Sequence, residues 1–126
     1  MNLDTTQHLF DQGLWHEAIA AAEQALVAVR AAGGVSGNPH PEAIDLLCLL
    51  GAAAHQLGDA KRAVAAFDAV LQRQPEVPEH WSNYATSLRD LGEKNEALAA
   101  YARAGALGAD DPHYHFNVAA LLLDMQ

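Results

Sequence analysis

Shifted by 34 residues, the second half of the chain falls on itself. Leu50-Gly51 lands on Tyr84-Ala85 and then on Val118-Ala119, Ala54 lands on Leu88 and Leu122, and Leu57-Gly58 lands on Leu91-Gly92. Further on, Ala63 meets Ala97, Phe67 meets Tyr101 and Val70 meets Ala104. Agreement in size and polarity at so many positions under one offset marks an internal repeat. A unit of this length buries its apolar face only by stacking on its neighbours. The chain has 126 residues, room for about three such units in one domain.

Each copy reads as two helices. Leu46, Leu47, Leu50, Ala54 and Leu57 recur at three- and four-residue steps, the period of a helix burying one stripe. Gly58-Asp59 breaks the pattern with a glycine suited to end one helix and an aspartate suited to cap the next. Ala63, Ala66, Phe67, Val70 and Leu71 form the second stripe, and Pro75 follows it. The third copy repeats the plan through Trp81, Tyr84, Ala85, Leu88, Leu91 and Gly92, then Ala97, Ala100, Tyr101 and Ala104. Pro41 and Pro112 stand just inside expected helix starts, with His40 and Asp111 in the cap positions. The first copy matches at a shift of 45: Gly13, Ala18, Ala22 and Ala25 fall on Gly58, Ala63, Phe67 and Val70. The surplus after Ala25 is taken up by a longer helix through Leu26, Val29 and Ala32 and by a loop over residues 33–41. One domain over 1–126 is therefore expected, with repeats at about 2–33, 44–77 and 78–111 and a partial repeat at 112–126.

Composition agrees. Hydrophobic residues make up 51% and aromatics only 6%, with alanine abundant, which favours close-packed helices over sheet. The 16 acidic against 7 basic residues, net −9, argue against nucleic acid or an anionic membrane as partner and suit a basic peptide or protein. Full protonation of the seven histidines would move that charge to −2, so mild acid is expected to promote self-association. Cys48, alone, makes no internal disulfide. No stretch approaches the roughly 20 apolar residues of a membrane span. The first residues, Met-Asn-Leu-Asp, do not read as a signal peptide, and a cytoplasmic location is expected.

These residues resemble the tetratricopeptide repeat (TPR) family. Leu50-Gly51, Leu57-Gly58-Asp59, Ala63, Phe67 and Pro75 match its pattern, as do Trp81, Tyr84, Ala85, Leu91-Gly92, Ala97, Tyr101 and Ala104. The first copy, with its long second helix and Asn38-Pro39-His40-Pro41-Glu42 link, looks like the longer variant of kinesin light chains. Two departures stand out. Ala109 replaces the proline seen at Pro75, and Thr5-Thr6 and Gln12 replace Leu-Gly and Leu, so the first helix should be shorter or less well docked. The resemblance implies an all-α, right-handed superhelical solenoid of about three motifs plus a terminal helix. It also implies a concave groove, lined by the first helix of each pair, that binds an extended peptide or protein segment.

Removing the packing positions leaves the residues expected to face that groove. Asp45, Cys48, Leu49, Ala52, His55 and Gln56 come from the second copy, and Glu79, Ser82, Asn83, Thr86, Arg89 and Asp90 from the third. The first copy supplies Leu3, Asp4, Gln7, Phe10 and Asp11, and the last His113, Phe116, Asn117, Ala120, Leu123 and Asp124. Asn83 and Asn117 occupy the same place one repeat apart, and an amide both donates and accepts, so the two can grip a peptide backbone in either direction. Ladders of this kind belong to repeat arrays in protein O-glycosyltransferases and kinesin light chains. Asp11, Asp45, Glu79, Asp90 and Asp124 make the face acidic, and Arg89 is its one lysine or arginine. The chaperone-binding branch of the family clamps a C-terminal carboxylate with such residues, so that activity is disfavoured. A basic peptide is the expected ligand, and the alternative is a solvated acidic face with none.

Nothing points to catalysis. Cys48 and His55 lie two helical turns apart but lack an orienting group and an oxyanion site. No phosphate loop or Gly-x-Ser-x-Gly motif is present, and a non-enzymatic module without cofactor or metal is expected. His113 and His115 flank Tyr114, but alternate residues of a helix face apart, and His115, at the place of Trp81, should be used in packing. The last helix is apolar nearly all round and stops where the third copy turns into a second helix. Two readings follow. The chain is a piece of a longer protein, for example the substrate-recruiting region of a glycosyl- or sulfotransferase. Or it self-assembles, as a homo-oligomer, through Leu121, Leu122, Leu123 and Met125.

Overall fold

The computed structural model describes residues 2–33 and 41–126. Seven helices, and no strand, lie in these residues: α1 (Leu3–Asp11), α2 (Trp15–Gly33), α3 (Pro41–Gln56), α4 (Ala60–Arg73), α5 (Pro78–Leu91), α6 (Lys94–Ala106) and α7 (Pro112–Asp124). Each packs chiefly on the helices next to it in sequence, with α1 also meeting α3 and α5 meeting α7. That nearest-neighbour order is the solenoid expected of the repeat. The segment 34–40, the body of the expected loop, and His40 as a cap lie outside the described residues; Gly33 and Pro41 close and open helices instead.

Local chemistry sets the helix ends. The Asn2 carboxamide oxygen accepts from Thr5 N–H at 2.9 Å, and the buried Thr6 hydroxyl donates to the Asn2 carbonyl. With nine residues α1 is shorter than the sixteen-residue α3, as its altered sequence implies. It is nonetheless docked, since Leu3, Leu9 and Phe10 pack against the first core cluster. Asp59 Oδ1 accepts from Arg62 N–H and Asp111 Oδ1 from Tyr114 N–H, satisfying amides that a helix start leaves unpaired. Gly92 ends α5 at φ +96°, where a side chain would be strained, and its N–H returns to the Leu88 and Arg89 carbonyls.

The stripes read from the period form two core clusters. Ile19, Leu46, Leu50, Ala54, Phe67 and Val70 stand in the first; Ala85, Leu88, Ala97, Tyr101 and Leu121 stand in the second. Alanines let the helices approach closely, and at Gly51 even a methyl is too much, because a Cβ there would lie 2.7 Å from the Phe67 ring. Leu122 is 48% exposed, as a self-association residue must be, although it shares a register with the buried Ala54 and Leu88; α4 and α6 cover those two and no described helix lies over it. Two expectations need correction. Leu57 and Leu91, at helix ends, are exposed. His115 is exposed, and its Nε2 meets Asp110 Oδ1 at 2.8 Å, whereas Trp81 packs edge-on to Tyr84 and donates to the Pro75 carbonyl at 2.7 Å. Docking of α7 falls to the neighbouring Tyr114, whose hydroxyl donates to the Tyr101 carbonyl at 3.1 Å.

Candidate functional site

A cavity of about 1000 Å³ runs along the first helices of the pairs. Its wall takes Leu3 and Gln7 from α1, Asp45, Cys48, Leu49, Ala52, His55 and Gln56 from α3, and Glu79, Ser82, Asn83 and Thr86 from α5. His113, Tyr114 and Asn117 come from α7, and Gly108 to Asp111 from the link before it. These side chains project together because a 34-residue step carries the same helix face from repeat to repeat. Asp45, Glu79 and His113 form one such row, and Leu49, Asn83 and Asn117 another.

The two asparagines are the most telling members. Asn83 is exposed, whereas Asn117 is only 7% exposed, deeper than a surface residue. Among the described residues, no hydrogen bond engages either amide. The Asn117 side chain is buried along its length, but its amide atoms remain open to the groove. Thr86 is different: its hydroxyl donates to the Ser82 carbonyl at 3.1 Å, which leaves Tyr101 O–H, 2.6 Å away, to donate to it. Ser87, a wall residue the period did not single out, is likewise turned back to the Asn83 carbonyl.

The acidic character holds, but its members change. Asp45 and Glu79 line the cavity, and Asp110 and Asp111 in the link before α7 add to them. No helical period reaches those last two. Asp11, Arg89, Asp90 and Asp124 do not line it. Asp11 accepts from Gln7 Nε2 at 2.9 Å, Asp90 meets His55 Nδ1 at 2.9 Å, and Asp124 meets Lys94 Nζ at 3.0 Å. Arg89 lies near enough to Tyr101 to act on its phenol. No lysine or arginine is among the described residues of the wall.

Burial, and next the Asp45 carboxylate, push the Cys48 thiol up to about 11. It is therefore neutral near neutral pH and weak as a nucleophile or metal ligand. Among the described residues no three His, Cys, Asp or Glu side chains gather as a metal site. On α7, Leu121 is fully buried and so is not free for self-association, while Met125, just past the helix, is half-buried against the second core. Leu123, 68% exposed, and Leu122 remain outside, joined by Phe116, 70% exposed, at the register of Cys48 and Ser82. No described helix is long and apolar enough to cross a membrane.

Stacked helix pairs with a groove along their first helices define a helical-repeat solenoid. Sequence models described as tetratricopeptide repeat match residues 3–78 and 54–122, and the chain belongs to that family. Among solved structures it is similar to the first TPR of Spaghetti (RPAP3) bound to the HSP90 peptide SRMEEVD. That likeness has 16% identity, 97% of this chain and 88% of that one covered, and a TM-score of 0.79. PcrH in complex with the chaperone binding region of PopB gives 18% identity, 94% and 87% coverage and a TM-score of 0.67. PcrH from Pseudomonas aeruginosa gives 19%, 96% and 89%, and 0.54. At these identities the likeness is one of fold. No curated protein is matched by the sequence.

Proposed function

We propose that the chain is a non-enzymatic interaction module that holds an extended peptide or protein segment in this groove. The observation that carries the reading is the pair Asn83 and Asn117, one repeat apart, both lining the cavity with amides that no described residue engages. A bound backbone would supply the missing donors and acceptors without regard to its side chains. Two structurally similar proteins are described with a peptide or binding region in complex, which supports a ligand of this kind. The acidic wall favours a basic segment over one ending like SRMEEVD, because two glutamates and an aspartate would face Asp45, Glu79, Asp110 and Asp111 without a cation between them.

The test is an arrayed library of extended peptides, bound to the wild-type chain and to the Asn83→Ala/Asn117→Ala variant at low and high salt. Basic peptides are expected to bind, to weaken as salt rises, and to lose at least about tenfold in the folded variant, a loss of about 1.4 kcal/mol. Binding indifferent to both asparagines would overturn the reading. A second reading, self-association, is favoured by Phe116, Leu122 and Leu123, which place three large apolar side chains on one short helix in water. It no longer includes the buried Leu121.

A further inference from the structure

The groove is not uniform along its length. At the α1–α3 end Leu3, Cys48, Leu49 and Ala52 make an apolar strip, with polar Gln7, His55 and Gln56 and a single carboxylate, Asp45, beside it. Leu49 holds the register position of Asn83 and Asn117, so the rung that would extend the ladder is apolar. It is half-buried and belongs to neither core cluster, which leaves its open surface unused within the fold. At the α5–α7 end stand Glu79, Asp110 and Asp111, with no lysine or arginine among the described wall residues. Asp110 and Asp111 each spend one oxygen, on His115 and on the Tyr114 N–H, and keep the other lone pairs. Between these ends Asn117, nine-tenths buried and without a partner among the described residues, borders the cavity. Its amide tip stays open to the groove, so a bound backbone can reach it without displacing a bond within the chain.

Resting on the groove reading above, we infer that the ligand is bipartite: an extended segment with an aliphatic side chain against Leu49 at the α1–α3 end and a lysine or arginine against the carboxylates at the α5–α7 end. The asparagines hold the backbone between. Exchanging the two halves would set a cation on the apolar strip with Asp45 alone to meet it and place an aliphatic group among three carboxylates, so the order of residues sets the register.

The probes are acetylated, amidated nine-residue Gly/Ser peptides carrying one Leu pair and one Lys pair at every spacing and in either order. Fluorescence anisotropy reads their binding to the whole chain as wild type, as Leu49→Asn, and as Glu79→Gln/Asp110→Asn. The tightest peptides are expected to carry the pairs at opposite ends. Replacing the leucines by serine should cost about tenfold in the wild type and less than about twofold in Leu49→Asn. Replacing the lysines should cost about tenfold in the wild type and less than about twofold in Glu79→Gln/Asp110→Asn. Each crossed combination should keep its full loss. The inference fails if those losses persist in the matching variants, or if peptides of lysine alone bind as tightly as mixed ones. Binding that needs Asn83 and Asn117 but ignores the order and spacing of the pairs would overturn this inference and leave the groove standing. Absence of binding by any peptide to a chain with helical circular dichroism would overturn both.

Discussion

Burial and Asp45 make the Cys48 thiolate more costly in the folded chain than in the unfolded one. Its contribution to stability is therefore full below the ordinary thiol value of 9.0 and is lost as pH rises through about 11. Alkylation by iodoacetamide at pH 8 should run on the order of a hundredfold slower than for an exposed cysteine and accelerate above pH 10. An ordinary rate at pH 8 would contradict the burial. Gly51 offers a test of opposite signs. Alanine in a helix interior usually gains up to about 1 kcal/mol over glycine, but here its Cβ would meet the packed ring of Phe67, and overpacking costs about 1–3 kcal/mol. Net destabilisation on urea unfolding is expected for Gly51→Ala, and a gain would mean that the ring moves aside. The period places Asn83 and Asn117 on the wall because one register serves every repeat. It says nothing of how deep each lies, since the burial of Asn117 depends on where α7 sits.

Element by element, the helices were legible wherever packing and capping residues repeat, and α1 is short where those residues change. What the period missed lies where a repeat loses its neighbour or its helix. Leu122 is exposed because no described helix lies over it, and Asp110 and Asp111 stand in a link that has no period. The α7 helix separates packing from surface within three consecutive leucines. Leu121→Ala should cost about 2–5 kcal/mol in denaturant unfolding, because a fully buried side chain leaves a cavity. Leu122→Gln/Leu123→Gln should stay within about 0.5 kcal/mol of wild type. If the self-association reading holds, that double variant also loses the concentration-dependent mass seen in light scattering. Equal stability losses in both variants would mean that α7 buries another face.

For the whole molecule, an all-α solenoid was readable from eight aligned positions because stacking is what those residues do. The site was readable only in part, for a groove is lined by whatever packing leaves free. Its acidity survives the loss of Asp90 to His55 and Asp124 to Lys94, through Asp110 and Asp111. A net charge of −9 should speed encounter with cationic segments at low ionic strength, so association rates should fall steeply with salt while dissociation changes less. Stopped-flow mixing with a basic peptide checks this, and a salt-independent association rate would count against it. The most direct measurement of the central claim is a ¹⁵N–¹H spectrum of the chain titrated with such a peptide, followed at the asparagine side-chain amides. The account predicts that the Asn83 and Asn117 NH₂ resonances shift together and saturate with the backbone amides of α3, α5 and α7. Shifts confined to Phe116, Leu122 and Leu123, with both amides unmoved, would contradict it.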